Sequence, residues 1–213
     1  MRGQLPGLKV CGILMLMSFY RRRLPHWLPA NQPMFLTFSL FGSVPAERSF
    51  DRQIIASNGQ AFAAYDQILD RADFGARYLA IPAIADAVRQ VLLQTAEELA
   101  IPLHAWVIMP NHVHLATGAG DCPRLLKLVK GRSSRVANLM LGTTGRPFWQ
   151  EESYDRWMRS PAELRSVCGY VLANPVKAGL VGSAELYRWS SGYEGLRRAG
   201  GDESPRGLKP AVP

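Results

Sequence analysis

The segment from Leu103 to Thr117, with the sequence LHAWVIMPNHVHLAT, predicts the centre of the fold. Two short apolar runs, Leu103 to Met109 and His112 to Thr117, are separated only by Pro110-Asn111. Proline and asparagine are favoured in turns, and apolar runs on both sides of such a turn are typical of a β-hairpin. The segment therefore predicts two antiparallel strands joined by a tight turn.

The second run carries His112 and His114, two of the chain's 4 histidines. Because side chains on a strand alternate between the two faces of a sheet, both imidazoles point to one face, while Val113 and Leu115 point to the other. The apolar pair is expected to fill a core, so the histidines face a different environment. Neutral imidazole is the commonest metal ligand in proteins, and the pair is a candidate metal site. A chance surface pair is the alternative.

Upstream of the hairpin the pattern alternates between strand and helix. Met34 to Phe41 mixes phenylalanine with threonine and serine before the breaker Gly42 to Pro45, which predicts a strand. Apolar residues at helical spacing predict helices from Gln60 to Asp70 and from Ala83 to Leu99, and Pro102 is expected to close the second helix.

Downstream, a long amphipathic helix is predicted from Cys122 to Leu141, with Asp121 as its N-cap and Pro123 in its first turn. One side collects apolar residues, namely Leu125, Leu126, Val129, Val136 and Met140. The other side collects Lys127, Lys130 and Ser134, flanked by Arg132 and Arg135. In a basic chain this polar face predicts contact with DNA or RNA phosphates, and a solvated charged face is the alternative.

The segment from Phe148 to Asp155, after a linker at residues 142–146, mixes aromatic and polar residues. Such a mixture can stack on unpaired bases, which makes Trp149 a candidate DNA contact. The alternative is that these aromatic side chains pack in the core.

A second amphipathic helix is predicted from Pro161 to Asn174, and Pro175 is expected to stop it. Tyr170 lies about 130° from the centre of the apolar stripe, and Asn174 lies one turn further on the same flank. A tyrosine oxygen can attack a phosphodiester when a divalent cation polarises the phosphoryl oxygen. Alternatively, Tyr170 lies at the helix margin and Asn174 serves the helix C-terminus.

Two histidines and one amide oxygen would leave coordination positions open for phosphate and water. Such a site suits Mg²⁺ or Mn²⁺ better than a closed structural zinc site does. Imidazole is an unusual ligand for Mg²⁺, so Mn²⁺ is expected to bind as well.

The composition predicts a globular protein with a polyanionic partner. The chain has 213 residues, of which 47% are hydrophobic and 20% charged, values typical of a folded domain. Its 25 Lys and Arg against 17 Asp and Glu give a net charge of +8. Nucleic acid is the expected partner of such a basic chain, and charge for simple solubility is the alternative.

The three cysteines, Cys11, Cys122 and Cys168, are odd in number and widely spaced, which favours a reduced, cytosolic compartment. The apolar segment Val10 to Tyr20 is shorter than the roughly 20 residues of a transmembrane helix. Its basic residues, Arg21 to Arg23, follow it, whereas those of a signal peptide come first.

These features predict one domain with two extensions. We expect residues 1–24 to be an extension outside the domain, with Met15 or Met17 as the true start of the protein. Residues 25–196 are expected to form a single domain. Residues 197–213, rich in glycine, proline and charge, are expected to be disordered.

Several motifs follow one another from residue 20 to residue 193 in the order found in one family. They are His26-Trp27, Phe35-Leu36-Thr37-Phe38, Gly42 to Pro45, Ala105 to Leu115, Lys130-Gly131, Phe148 to Asp155, Tyr170 to Leu180 and Trp189-Ser190-Ser191. In these motifs the chain resembles the HUH single-strand transposases with one catalytic tyrosine, the IS200-like group, and among them the REP-associated tyrosine transposases.

The resemblance implies an α+β HUH endonuclease fold, an antiparallel β-sheet with packed helices related to the ferredoxin-like and RNA-recognition folds. It implies that His112 and His114 are the metal pair, that Tyr170 is the nucleophile and that Asn174 is the third ligand. Members usually have a histidine where this chain has Arg156, so Arg156 is a further candidate DNA contact.

The resemblance also implies the reaction. Single-stranded DNA next to a REP-like hairpin would be cut with formation of a 5′-phosphotyrosine and a free 3′-hydroxyl, and then rejoined by the reverse attack. Because the covalent link conserves the energy of the phosphodiester, no nucleotide cofactor is expected. The protein would act in the cytoplasm on the nucleoid, without a membrane partner, as a monomer or homodimer.

Two alternatives remain open from the sequence. One is a domesticated or inactive protein that binds hairpin DNA without cutting it. The other is a metal-dependent hydrolase of a small substrate in which Tyr170 is only structural; the basic helix argues against it.

Overall fold

The computed structural model describes residues 31–44, 59–71 and 75–193. The predicted extensions at residues 1–24 and 197–213 and the motif His26-Trp27 lie outside these ranges, so the predicted domain limits stay a prediction. None of the helices in the described ranges is long and apolar enough to span a membrane.

A sheet of 4 antiparallel strands forms the centre of the described structure. The strands are β1 (Met34–Ser39), β2 (Leu103–Ile108), β3 (His112–Thr117) and β4 (Tyr154–Trp157), and they lie side by side in the order β2-β3-β1-β4. The predicted hairpin is β2 and β3, whose turn is closed by a hydrogen bond of 2.8 Å from the Met109 amide to the His112 carbonyl. The sequence did not predict β4.

Two helices cover one face of the sheet. They are α2 (Pro82–Glu98) and α3 (Cys122–Leu141), which follow the predicted bounds within one residue. Their apolar stripes pack on every second residue of the strands, so that one core contains Leu36, Phe38, Val113 and Leu115 together with Val88, Leu125 and Val129. The face that carries Val113 and Leu115 is therefore the core face, as the alternation along β3 predicts.

The opposite face of the sheet lies against α1 (Gly59–Arg71) and α4 (Pro161–Lys177). Phe62 of α1 and Val171 of α4 pack there with Phe35 and Val107 of the sheet. All residues of β3 are buried because the sheet is covered on both sides. The arrangement is the predicted α+β fold, an antiparallel sheet with packed helices.

The buried face of α3 differs from the predicted stripe in its second half. Val136 and Met140 were expected to be buried, but they are 39% and 49% exposed, whereas Ser133 and Ala137 are buried. With 3.6 residues per turn, residues four apart on a helix do not lie directly above one another, so a row of such residues rotates around the helix axis. The small side chains of Ser133 and Ala137 let this part of the helix lie close to the core. Ser133 can be buried because its hydroxyl donates to the Val129 carbonyl at 2.6 Å.

Helix α4 does not stop at Pro175 but continues to Lys177, with the buried Pro175 inside its last turn. A proline removes only its own amide donor, and the next amides still find acceptors. The Ala178 amide donates to the Asn174 carbonyl at 3.0 Å, and the Leu180 amide donates to the Pro175 carbonyl at 2.9 Å. Asn174 is therefore held on a regular helical turn.

Candidate metal and nucleophile site

His112 and His114 bring two ring nitrogens together beneath α1 and α4. Both side chains are fully buried, and their Nε2 atoms lie 2.9 Å apart. Cross-strand neighbours in β1 are Ser39 opposite His112 and Thr37 opposite His114. The alternation predicted from the sequence thus places both imidazoles on the face away from the main core.

The outer nitrogen of each ring has its own partner. His112 Nδ1 lies 2.7 Å from Asn111 Oδ1, and His114 Nδ1 lies 2.7 Å from Thr37 Oγ1. Because an amide oxygen only accepts, His112 must donate from Nδ1, which leaves the Nε2 lone pair available to a metal. Partners of this kind fix the tautomer and ring orientation of ligating histidines in metal sites.

Asp66 of α1 supplies a carboxylate to the same place. It is 2% exposed, and its Oδ1 lies 3.1 Å from His114 Nε2. One ligand atom from each of Asp66, His112 and His114 lies within 4.8 Å of the other two. The three side chains therefore form a candidate centre for a divalent metal.

Two further polar groups border this centre. Asp70 Oδ1 lies 3.7 Å from His112 Nε2, and Asn174 is fully buried one turn after Tyr170. In the described structure, Asp66 Oδ1, Asp70 Oδ1 and both amide atoms of Asn174 are buried without a normal hydrogen bond. Buried polar atoms without partners call for an explanation, and a cation bound by oxygen and imidazole ligands fits this set.

The charges of the site follow from burial and from one another. Burial, aided by repulsion from His114, keeps the pKa of His112 well below its usual value, so the imidazole is neutral and able to bind a metal. Burial raises the pKa of Asp66, but the adjacent His114 outweighs this effect and holds the pKa below its usual value. Burial and the neighbouring Asp66 raise the pKa of Asp70 to about 7.

Tyr170 of α4 reaches this centre from within the same chain. Its hydroxyl donates a hydrogen bond to Asp66 Oδ2, and its ring lies 6.0 Å from the His114 ring. The ammonium of Lys177 lies 4.1 Å from the centre of the Tyr170 ring. The predicted nucleophile, the predicted metal pair and Asn174 thus lie around one place.

The predicted DNA contacts on α3 lie on the other side of the sheet. Lys130 donates to the carbonyls of Gln150 at 2.7 Å and Glu151 at 2.9 Å, and Arg132 pairs with Glu98 at 2.7 Å. Lys127 and Arg135 are exposed, whereas Ser134 is half-buried. The basic helix and the candidate metal centre are therefore not brought together on one surface.

Trp149 does not present its ring to solvent. It is 7% exposed, its ring centre lies 4.8 Å from that of Phe38, and its indole nitrogen donates to Ser133 Oγ at 2.9 Å. An indole buried in this way offers little ring surface to a base, so the predicted contact of Trp149 with DNA stays a prediction. The structure packs Trp149 in the main core, as the alternative expects.

Arg156 lies on β4 opposite Phe35 of β1, on the sheet face that carries the candidate centre. Its guanidinium pairs with Glu163 of α4, and its side chain remains about half exposed, at 48%. Of the predicted DNA contacts described above, Arg156 is the one on the same face as Tyr170.

Sequence reasoning missed Asp66 and Asp70. A usable signal was present, because Asp66 follows Phe62 by four residues and precedes Leu69 by three, which places an acid on the buried stripe of a predicted helix. A buried acid without an obvious partner suggests a metal or a functional site. The partners lie more than 40 residues away in β3, so the sequence alone does not identify them.

Comparisons with known proteins agree with the fold and with the family. Residues 76–174 match the family model of IS200-like transposases. The structure is similar to that of a REP-associated tyrosine transposase bound to a REP hairpin, with 18% identity, a TM-score of 0.54, and 86% of this chain and 87% of that chain covered.

A candidate transposase from Deinococcus radiodurans is 16% identical, with 72% of this chain and 98% of that chain covered and a TM-score of 0.40. No curated protein matches the chain.

Proposed function

Because residues 76–174 match the family model of IS200-like transposases, we propose that this protein is a metal-dependent transposase that cuts and rejoins single-stranded DNA beside hairpins. One observation carries the proposal. The Tyr170 hydroxyl, on a helix, reaches the buried group of Asp66, His112 and His114 within a single chain. A phenol beside a metal site with open positions is the arrangement that nucleophilic attack on a phosphodiester requires.

His112, His114 and Asp66 would hold the metal, with the Asn174 amide beside them. Two imidazoles with a carboxylate suit Mn²⁺ better than Mg²⁺, although either ion can serve phosphate chemistry. A bound divalent cation would polarise the phosphoryl oxygen and offset the charge that develops on it.

The chain's own residues carry the bond exchange. Tyr170 Oη would attack the phosphorus of the target phosphodiester, and the bond from phosphorus to the 3′ oxygen would break. The products are a 5′-phosphotyrosine and a free 3′-hydroxyl, so that in net terms the phenolic proton passes to the leaving oxygen. Attack of a 3′-hydroxyl on the phosphotyrosine reverses these steps and rejoins the strand.

The DNA would reach Tyr170 along the edge of β4. Among the described residues, β4 is an outer strand of the sheet, whereas β2 is bridged by Ser190 at Val107. Arg156 lies on β4, and the exposed Lys127 and Arg135 of α3 lie on the other side of the sheet. A DNA hairpin that contacts basic side chains on both faces of the sheet must pass one edge of the sheet. Basic side chains along that path would neutralise the DNA phosphates. The REP hairpin bound to the structural neighbour supports a hairpin as the target.

The test uses end-labelled hairpin oligonucleotides with Mn²⁺ and follows a protein-DNA adduct that survives denaturation. The native protein should form the adduct, Tyr170→Phe should bind the hairpin without forming it, and His112→Ala should lose it. Tyr187→Phe is the matched control, because the hydroxyl of that buried phenol donates to the Ile108 carbonyl at 2.9 Å, outside the candidate centre.

The alternatives give different results. Salt-sensitive hairpin binding without an adduct under any metal condition would identify a binding protein that does not cut. A protein that binds Mn²⁺ but has no affinity for single strands would instead be a hydrolase of a small substrate.

A further inference from the structure

We propose that Asp66 is a positioning residue that links the nucleophile to the metal site, with one carboxylate oxygen for the metal and the other for the Tyr170 hydroxyl. The inference rests on the proposed function, in which Tyr170 is the nucleophile and the histidines bind the metal. It gives Asp66, which is already grouped with the two histidines, a second contact that reaches the nucleophile.

The two oxygens of Asp66 face different partners. Oδ2 accepts the hydrogen bond of the Tyr170 hydroxyl, whereas Oδ1 lies 3.1 Å from His114 Nε2 and has no normal hydrogen bond. A carboxylate can ligate through one oxygen while the second accepts a hydrogen bond, which fixes its orientation. The contact therefore sets the distance between the phenol and the metal site.

Helix α1 is held at the site by the turn that also orients His112. The Asn111 amide group donates to the Leu69 carbonyl of α1 at 3.0 Å, while its oxygen accepts from His112 Nδ1 at 2.7 Å. Asn111 is fully buried, so this link is shielded from water. One residue thus fixes a metal-binding histidine relative to the helix that carries Asp66.

Aromatic packing fixes the other side of α1. The ring centre of Phe62 lies 5.3 Å from that of Phe35 and 4.3 Å from that of Tyr154. It also lies 6.1 Å from the Tyr170 ring, so α1 contacts both the sheet and the nucleophile helix. Asp66, one turn after Phe62, is directed by this packing to the point between Tyr170 and His114.

Asp66 lies outside the segment that matches the family model, which begins at residue 76. Helix α1 ends at Arg71, so the complete helix precedes that segment. The histidines, Tyr170 and Asn174 lie within residues 76–174, and Asp66 is an addition to them from a separate part of the chain.

The shared carboxylate predicts that metal and tyrosine influence each other. Loss of an outer hydrogen bond to a metal ligand weakens metal affinity by about 10- to 100-fold. Removing the Tyr170 hydroxyl should therefore weaken Mn²⁺ binding about tenfold, although the hydroxyl itself is not a ligand. The effect should vanish when Asp66 is absent, because the link between the two groups is then lost.

The experiment is a double-mutant cycle in which Mn²⁺ binding is measured by calorimetry or by the electron paramagnetic resonance of free Mn²⁺, without DNA. The proteins are the native chain, Tyr170→Phe, Asp66→Ala and the double variant, with folding checked by thermal unfolding. Asp66→Asn replaces Asp66→Ala if the latter does not fold. Tyr187→Phe and Asp86→Asn are controls, because Asp86 bonds to Arg188 and Trp189 away from the site.

The proposal expects about a tenfold loss for Tyr170→Phe in the native background and less than about twofold in the Asp66→Ala background. It is overturned if Tyr170→Phe binds Mn²⁺ like the native protein, if its loss persists without Asp66, or if the native protein binds no Mn²⁺. The adduct assay separates the two proposals. An adduct without coupling contradicts only the role of Asp66, and coupling without an adduct contradicts only the cleavage reaction.

Discussion

Each buried histidine of the candidate centre has one nitrogen fixed by a neighbour and one directed at the centre. Thr37 holds His114 across the sheet, and Asn111 holds His112 from the adjacent position in the chain. Both fixed nitrogens are Nδ1, so the two Nε2 atoms face each other. For ligation through Nε2, His114 must donate its Nδ1 proton to Thr37, which makes Thr37 a specific partner of the metal site.

We expect Thr37→Val to weaken Mn²⁺ affinity by about 10- to 100-fold, because the ring of His114 loses the partner that fixes its orientation. The stability of the metal-free protein should fall by about 1–3 kcal/mol, because a buried ring nitrogen is left without a partner. Calorimetric Mn²⁺ titration and chemical unfolding measure the two effects.

Thr117→Val is the matched control. Thr117 is also a buried strand threonine, but its hydroxyl lies 3.3 Å from the Met34 carbonyl and 3.3 Å from the Cys122 sulfur, and among the described residues it contacts no candidate metal ligand. It should lose stability without losing Mn²⁺ affinity. Equal affinities for the native protein and Thr37→Val would contradict the assigned orientation of His114.

Sequence reasoning found the site residues that neighbouring positions reveal and missed those that only tertiary packing brings to the site. The spacing of His112 and His114 places both on one face because alternation along a strand is a property of adjacent residues. Asp66 meets them only through the packing of α1 on the sheet, which no local pattern records. The roles assigned to Tyr170 and Asn174 stay predictions, although the structure places both beside the histidines.

At the scale of elements, the start of α4 is tied both to its own cap and to β4. Ser160 is the N-cap, its hydroxyl accepts from the Glu163 amide at 3.1 Å, and Glu163 accepts in return from the Arg159 amide at 2.8 Å. This pair is similar to a capping box, except that Glu163 accepts from the amide of the residue before the N-cap and not from the N-cap amide. Arg156 of β4 pairs with the same carboxylate, so Glu163 connects the edge strand to the helix that carries Tyr170.

Glu163→Gln should lower the free energy of unfolding by about 0.5–1 kcal/mol at pH 7, because the cap and the favourable charge at the helix N-terminus are weakened. The Arg159 amide and the Arg156 guanidinium hold the pKa of Glu163 below its usual value. A lowered pKa stabilises the fold above the unfolded value, and that contribution is lost as the pH falls through the folded value.

The difference between the native protein and Glu163→Gln should therefore shrink below about pH 4, in urea unfolding measured from pH 3 to 7. Glu97→Gln, the same change of charge at an exposed position of α2, serves as the control. A difference in stability that stays constant across this range would show that the charge of Glu163 does not matter.

The environment of Trp149 is set by the pairing of its segment with the end of β1. The sequence allowed either base stacking or core packing, and the structure places the indole between Phe38 and Ser133. Its position depends on the backbone bridge between Trp149 and Leu40 at the end of β1. The two residues are more than 100 positions apart in the sequence, so no local pattern reveals this contact.

Trp149→Phe should reduce the free energy of unfolding by about 1–3 kcal/mol, because a buried hydrogen bond and apolar area are lost. Hairpin affinity should stay within about twofold of the native value at a temperature where the variant is folded. Arg156→Ala should instead weaken hairpin binding, and the affinity should depend less steeply on salt concentration, because a phosphate contact is lost. Fluorescence anisotropy of a labelled hairpin measures the affinities, and a large loss of affinity for folded Trp149→Phe would show that Trp149 contacts the DNA.

At the scale of the molecule, the sheet separates the main hydrophobic core from the candidate metal and nucleophile site. One face is filled by α2 and α3 and forms the main core, while the other meets α1 and α4 and holds the candidate centre. The fold class was predicted from the sequence and is confirmed by the structure. The IS200-like family was predicted too, and residues 76–174 match its family model. They were predictable because the hairpin, the helices and the ordered motifs leave local patterns, whereas the joining of α1 to the hairpin turn through Asn111 does not.

The same organisation predicts that one chain contains a complete site. Tyr170 shares Asp66 with His114 inside a single chain, so nucleophile and metal ligands need no exchange between two copies. A mixture of His112→Ala and Tyr170→Phe should consequently form no adduct with a labelled hairpin. If the site were composed of two chains, the mixture would contain sites with an intact histidine pair and an intact tyrosine, and up to about a quarter of native activity would return. The adduct assay on the mixture, run beside each variant alone and beside native protein mixed with either variant, measures this directly. Adduct formation by the mixture would mean that α4 is exchanged between subunits when DNA is bound.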